Sequence, residues 1–359
     1  MAAAEKSARS LGDLQAAGLL GAEVTPDLAA VAGRYAVSVT PGVLRAIRGG
    51  DPEGGVARQY LPSSEELQEF PAELDDPIGD GPHSPVKGVV HRYDDRVLLN
   101  LLKTCAVYCR FCFRREMVGP GARGLDSAEL EAALDYIRGE ERIWEVIFSG
   151  GDPLTLSARR IRAVLEELAR IPHVGVARFH TRVPAVAPEL VTEELLAALR
   201  AGPTAFVVLH VNHPDELTAE VRAAIARLAD AGIPLLSQSV LLKGVNNSAE
   251  VLGRLFRALV QNRVKPYYLH HADLARGTGH FRTSIAEGQE IVDGLRQGHS
   301  GLCIPAYVLD LPGGAGKVPV ARSWILGEAE GSYLLRDRHG AEHAYRDHAA
   351  AQQKRPDRG

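Results

Sequence analysis

The chain has 359 residues, 41 of them Lys or Arg and 45 Asp or Glu, for a net charge of -4. That balance excludes the basic footprint of a nucleic-acid or anionic-membrane binder, and no apolar run reaches the length that a membrane-spanning helix needs. A chain of this length can bury a sizeable core, as one large domain with an appendage or as two ordinary ones.

In chain order, the start MAAAEKSARSLGDL is a polar, Ala-rich helix former without a signal-peptide core. Together with few cysteines, three of them clustered, it sets the expectation of a reducing cytoplasm. Residues 1–90 read as an N-terminal helical and irregular wrap. Leu14, Leu19, Leu20, Leu28, Val31, Leu44 and Ile47 supply short amphipathic stretches, broken by Pro26, Pro41 and the Gly49–Gly50 pair. Residues 51–90, rich in Pro, Asp, Glu and Gly, read equally as a wrap around something else or as flexible linker. From Arg96 onward the texture becomes an alternation. Apolar runs at 97–103, 146–150, 176–181, 204–211, 234–242 and 266–274 have strand length and are bounded by turn residues. Helical patterns lie between them, at 157–170 behind a possible Ser157 cap and at 217–230. Six units at intervals of about 30 residues, with strands apolar on both faces, predict a parallel α/β fold and favour a barrel or partial barrel over a doubly wound open sheet; a partial (β/α)6 TIM-like barrel over residues 91–320 is the form implied by the resemblance that the motifs below carry. Residues 321–359 read as a β-hairpin of two short strands, then a polar end from about Ala349.

In such a barrel the chemistry collects at the carboxyl ends of the strands. The first strand is followed by TCAVYCRFCFRR, which spaces Cys105, Cys109 and Cys112 as Cys-x-x-x-Cys-x-x-Cys. Three thiolates within eight residues can grip one metal centre. A four-iron, four-sulfur cluster held by three cysteines keeps one iron open to a substrate or cofactor. Zinc wants four ligands, and Cys303 is almost two hundred residues away; a disulfide across the tight Cys105–Cys109 loop is poorly shaped. The spacing therefore favours iron and sulfur over zinc or chance thiols. The later strands end in SGGDP (149–153), HTRVP (180–184), HVNHP (210–214), QSVLLKGVN (238–246) and HHADL (270–274). Packing does not explain polar residues recurring at that one position.

The cysteine triad followed by SGGDP resembles the radical S-adenosylmethionine (radical SAM) superfamily. The finer wording CAVYCRFCFRR, HVNHP, QSVLLKGVN, YYLHHADLARGTGHFRT and DLPGGAGKVPV is similar to the lysine 2,3-aminomutases, from about His91 to Val320. The resemblance implies that Cys105, Cys109 and Cys112 ligate a 4Fe-4S cluster whose fourth iron is chelated by S-adenosylmethionine. Ser149, Gly150, Gly151 and Asp152 would lie along its methionyl part, the glycines allowing close backbone approach. His210 and Gln238 would hold the adenosine, although His210 also reads as a strand-end histidine satisfied by backbone. Lys317, in PGGAGK, would form the Schiff base with pyridoxal 5'-phosphate. Val318 follows it where a phosphate-binding loop needs Ser or Thr. Arg92, Tyr93 and Arg96, in HRYDDR just before the first strand, would hold the cofactor phosphate with Arg182 adding to them; their bland alternative is an exposed charge cluster. Asp273 and Asp310 would clamp the distal ammonium of lysine, and Arg114 would receive its α-carboxylate. Two carboxylates on one buried cation are physically sensible, since each contact is worth roughly 4 kcal/mol at an effective dielectric of about 20.

The implied activity is an isomerase moving the α-amino group of L-lysine to the β-carbon, with an external one-electron reductant of the flavodoxin or ferredoxin type. The same shift on arginine or ornithine, or supply of β-lysine for elongation factor P modification, stays open; a structural iron–sulfur protein is the non-enzyme alternative. Longer family members bind zinc through a cysteine after GVN and a C-terminal cysteine cluster. Here Ser248 stands at the first place and no cysteine follows Cys303, so no zinc site is expected and assembly as a homo-oligomer stays open. His270 stands where the long forms carry tyrosine near the pyridoxal ring, and Cys303 reads as a buried apolar thiol.

Overall fold

The computed structural model describes residues 5–329 and 331–347, so the polar end expected from about Ala349 lies outside the described residues. Four helices open it: α1 (Leu11–Ala16), α2 (Pro26–Arg34), α3 (Pro41–Arg48) and α4 (Gly55–Arg58). Pro26 and Pro41 start α2 and α3 rather than merely interrupting a pattern, because proline presets the first helical φ where no N–H partner is needed. Leu14, Leu44 and Ile47 are buried in the main core. Residues 59–88 run as turns and short 3-10 segments. They are no free linker, since Gln59, Glu66, Glu73 and Asp80 are buried polar anchors within them.

Nine strands follow: β1 (Val89–Tyr93), β2 (Arg96–Leu102), β3 (Glu145–Gly150), β4 (Val176–Thr181), β5 (Thr204–His210), β6 (Leu235–Leu241), β7 (Lys265–His271), β8 (Ala306–Leu311) and β9 (Gly316–Pro319). They form one sheet in which neighbours in space are neighbours in sequence. β2 to β8 pair in parallel, and β1 and β9 close the two ends antiparallel. The six strands expected from the apolar runs are β2 to β7. HRYDDR is no lead-in to the first strand: it is the turn of a hairpin, with Arg92 and Tyr93 ending β1 and Arg96 opening β2.

Between the parallel strands run α5 (Ser127–Gly139), α6 (Ala158–Ala169), α7 (Val183–Val186), α8 (Glu193–Leu199), α9 (Ala219–Asp230), α10 (Ala249–Gln261) and α11 (Ile285–Gly298). Ser157 caps α6 as its position suggests, its hydroxyl accepting from Arg160 N. The outward strand face packs on the helices: Phe148 of β3 and Phe179 of β4 stack at 4.4 Å within the same core as Ile161, Val164 and Leu165 of α6. The sheet curls until its ends meet. Tyr93 of β1 accepts a 2.7 Å hydrogen bond from the backbone N–H of Lys317 on β9. The wrap covers the remaining gap, where a Cβ on Gly79 would lie 2.5 Å from Gly313. Past the barrel, three strands and not two form a separate antiparallel sheet, β10 (Ile325–Ala329), β11 (Ser332–Arg336) and β12 (Glu342–Arg346). Gly340 takes a left-handed φ of 88° in the turn before β12, and the short run after it escapes an apolar-pattern reading because every residue of β12 is exposed.

Candidate active site

A cavity of about 650 Å³ occupies the barrel interior. Its wall carries Cys105, Cys109, Cys112, Arg92, Tyr93, Arg96, Arg114, Ser149, Gly150, Gly151, Asp152, Arg182, His210, Gln238, Asp273, Asp310 and Lys317. These are all the candidates drawn from the sequence, delivered by the nine strands and the loops after them.

The cysteine loop enters from the end of β2. All three of its cysteines are free, and burial raises each thiol above its ordinary range, Cys112 to about 11. Such thiols are poor partners for water and well suited to a cation that replaces their protons. Among the described residues no three His, Cys, Asp or Glu side chains converge as ligands of a single ion. A multi-iron cluster makes no such demand, because each thiolate takes its own iron. Two features fix the loop. Glu66 of the wrap is fully buried and receives Arg110 through Nε (2.9 Å) and Nη2 (2.5 Å) together with Arg115. Gly151 lets the loop's first turn lie against β3, for a Cβ there would stand 2.3 Å from the carbonyl of Thr104. Gly150 has φ of 92° and abuts Leu102 O. Both glycines therefore serve the docking of the cysteine loop.

Asp152 is saturated. It accepts from Thr181 Oγ1 (2.6 Å), Arg182 N (2.7 Å), Val183 N and Leu154 N (both 3.1 Å), tying the end of β3 to the end of β4. Its carboxylate has no capacity for a cofactor and acts as a brace. Arg182 departs from the sequence grouping as well. Its side chain does not join Arg92, Tyr93 and Arg96. It lies buried with Nη1 3.0 Å from Cys109 Sγ, and Nη2 bonds Gln59 Oε1 (3.0 Å) and Glu216. That places its charge beside the cysteine loop.

Asp80, another residue of the wrap, joins two candidates that the sequence left separate. One carboxylate oxygen receives Arg92 Nη2 (2.7 Å), the other Arg114 Nη2 (2.7 Å) and Nε (3.1 Å), and Arg114 Nη1 reaches Ser149 Oγ (3.1 Å). Arg114 is thus oriented as a fork on the cavity wall. Arg96 lies over the Tyr93 ring at 3.8 Å.

Lys317 and Asp310 face each other across the β8–β9 ladder, and Nζ bonds both carboxylate oxygens at 2.6 and 2.7 Å. Burial alone would push the Asp310 carboxyl up, but His270, 3.6 Å away, and the Lys317 charge outweigh it and hold it well below the usual range. Asp273 is the contrast. Among the described residues it has no hydrogen bond or ion pair, and burial followed by the neighbouring Asp310 charge pushes it up to about 7. Lys317 and Arg114 are near enough to act on it electrostatically, yet among the described residues neither makes a direct ion pair with it. Gln238 Nε2 donates to His210 Nε2, so this candidate pair, in register on β5 and β6, is brought together. Burial lowers His210, His180 and His270, keeping the imidazoles neutral. Ser248 caps α10, accepting from Val251 N at 3.2 Å, and Cys303 is buried.

Sequence reasoning missed Glu66, Asp80, Glu216 and His180. The three acids carry no periodic signal. The available clue was the number of arginines in and after the cysteine loop, since buried guanidinium groups demand carboxylates.

Comparison with known proteins places the chain. The radical SAM superfamily model matches residues 99–255, and a model described as lysine-2,3-aminomutase matches residues 292–358. The L-lysine 2,3-aminomutase of Clostridium subterminale is 40% identical over 309 residues, which is 86% of this chain and 74% of that protein. The glutamate 2,3-aminomutase of Clostridioides difficile is 37% identical over 276 residues, 77% of this chain and 65% of that one. Among solved structures, a radical SAM methyltransferase from Sphaerobacter thermophilus aligns with a TM-score of 0.45 at 19% identity, covering 62% of this chain and 68% of that one.

Proposed function

Because the chain belongs to the lysine 2,3-aminomutase family of radical SAM enzymes, we propose that it moves the α-amino group of L-lysine to the β-carbon, giving β-lysine. The observation that carries the substrate assignment is Asp273, a half-buried carboxylate with no hydrogen bond or ion pair among the described residues, near Asp310 in the cavity that also holds the Arg114 fork. An amino acid bearing a distal ammonium fits between these groups: Arg114 takes its carboxylate, and the two aspartates take the cation. The side-chain carboxylate of glutamate would instead meet two acids, which is costly at low dielectric.

The residues present fit the family's cofactors. Cys105, Cys109 and Cys112 would hold a 4Fe-4S cluster, and Arg182 stands beside it with an unpaired buried Nε. Ser149, Gly150 and Gly151, at the end of β3, would hold the methionyl part of S-adenosylmethionine, and His210 and Gln238 would hold its adenosine. Lys317 would carry pyridoxal 5'-phosphate, with Arg92, Tyr93 and Arg96 on its phosphate; the buried Arg92 Nε has no partner in the protein. When bound, the cluster and S-adenosylmethionine supply a hydrogen-abstracting radical, and pyridoxal phosphate supplies the π-system across which nitrogen migrates. The chain's own contribution is orientation and exclusion of water. Asp80 aims Arg114, Asp310 holds the Lys317 amine at the cavity wall, and three neutral histidines line the space without adding charge.

A flavodoxin- or ferredoxin-type electron donor, cytoplasmic residence and self-assembly belong to the same reading. So does the division into wrap (1–90), barrel (91–320) and C-terminal β extension with its polar tail (321–359), the wrap contributing Glu66 and Asp80 as braces. The test is an anaerobic assay of lysine, arginine, ornithine and glutamate with dithionite, S-adenosylmethionine and pyridoxal phosphate, combined with borohydride trapping and peptide mapping. Lysine should give the β-amino product and the label should fall on Lys317. Preference for glutamate, or a label elsewhere, defeats the assignment.

A further inference from the structure

We propose that Arg178, which nothing in the sequence singles out, is a third arginine of the pocket for the cofactor phosphate. The proposal rests on the reading that pyridoxal phosphate binds at Lys317 near Arg92, Tyr93 and Arg96. Arg178 lies on β4, two residues before His180, and both line the barrel cavity. Its Cα partners are Ile147 on β3 and Phe206 on β5, so it rises from the middle of the barrel floor, away from the helix-packed face that holds Phe179. The side chain is buried, Nη2 donates to Glu145 Oε2 at 2.8 Å, and the buried Nε has no partner.

Three features link it to the phosphate group. First, Glu145, which holds Arg178 at 2.8 Å, is the ladder partner of Arg96 on β2, so the two arginines lie around one residue of β3 and both line the cavity. Second, each of the three arginines is held by a carboxylate: Arg92 by Asp80 at 2.7 Å, Arg96 by Asp95 at 2.6 Å and Arg178 by Glu145 at 2.8 Å. Such bracing orients a guanidinium and leaves its other N–H groups for a ligand. Third, Arg92 and Arg178 both keep an unpaired buried Nε. An orphaned buried N–H is expensive to retain, and on a cavity-lining arginine it is a donor that a ligand's acceptor oxygens would satisfy. A phosphate monoester offers several acceptor oxygens and pairs with guanidinium better than with any other side chain. Phe206, Leu236 and Ile147 beside it would close the pocket to water.

The experiment titrates the full-length chain, by absorbance, with pyridoxal 5'-phosphate and with pyridoxal, which lacks only the phosphate. The parent should bind the phosphorylated form far more tightly. In Arg178→Met/Glu145→Gln, which removes both members of the ion pair and avoids a stranded buried acid, affinity for pyridoxal phosphate should fall at least tenfold while affinity for pyridoxal stays within twofold. Arg178→Lys should lie between. Parallel losses for both ligands would show a merely structural role, and unchanged affinities would show no contact; either overturns the proposal. If the parent binds neither ligand, the cofactor reading itself fails, an outcome distinct from a parent that discriminates and a variant that discriminates equally.

Discussion

Replacing Asp273 with Asn should make the substrate-free protein more stable while abolishing its use of lysine. The folded carboxyl is raised from 3.8 to about 7, chiefly by burial and secondarily by Asp310. A group so raised holds its proton longer in the folded state, so its contribution is fully present below pH 3.8 and is lost as pH rises toward about 7. With about 1.4 kcal/mol per pKa unit, the cost of charging Asp273 reaches a ceiling of about 4 kcal/mol at pH 8 and only about 1.5 kcal/mol at pH 5. Asn carries no charge at either pH and escapes this term. Urea unfolding of parent and Asp273→Asn at pH 5 and pH 8, without substrate, reads the difference. The variant's advantage should grow with pH, and saturating lysine should raise the midpoint of the parent alone, because an ammonium offsets the charge that destabilises the empty site. A difference that does not change with pH, or a variant less stable at pH 8, would refute the unpaired-carboxylate argument.

Asp80→Asn removes the shared carboxylate of two buried arginines. Breaking a buried pair costs about 3–5 kcal/mol, so the melting temperature should drop and KM for lysine should rise at least tenfold as Arg114 loses its orientation, with iron content per chain unchanged. Gly151→Ala would force a methyl group to within 2.3 Å of Thr104 O. The cysteine loop must then move, and iron and sulfide analysis after reconstitution should show substoichiometric cluster; full loading would mean that the close approach is dispensable.

Much of the barrel was legible because its signal is local. Fully covered strands read as continuous apolar runs, and the breaks between them are turn chemistry, so β2 to β7 stand within three residues of where the runs place them. β1 and β9 escaped for a related reason. VVHRY and GKVP are short and mixed in polarity, and their strand character comes from pairing at the ends of a curled sheet. The tail misled in the other direction, because a small sheet exposed on both faces has little apolar alternation to display.

By itself the sequence determined the inventory: three cysteines close enough for one cluster, a lysine after a glycine-rich turn, two aspartates and a set of arginines. These are covalent spacings and residue types, which no fold can alter. Which groups face which was settled only in three dimensions. The ladder that sets Asp310 against Lys317 leaves Asp273 without a counter-ion. Asp80 and Glu66 lie 34 and 44 residues from Arg114 and Arg110, so their pairing follows from the path of the wrap around the barrel and not from any local pattern. Arg182 illustrates the limit most plainly. Its sequence position allowed it to join Arg92 and Arg96, the arginines proposed for the cofactor phosphate, yet Glu216 and Gln59 draw its side chain to Cys109. Buried charge goes where its partners are, and the location of partners is a property of the whole fold.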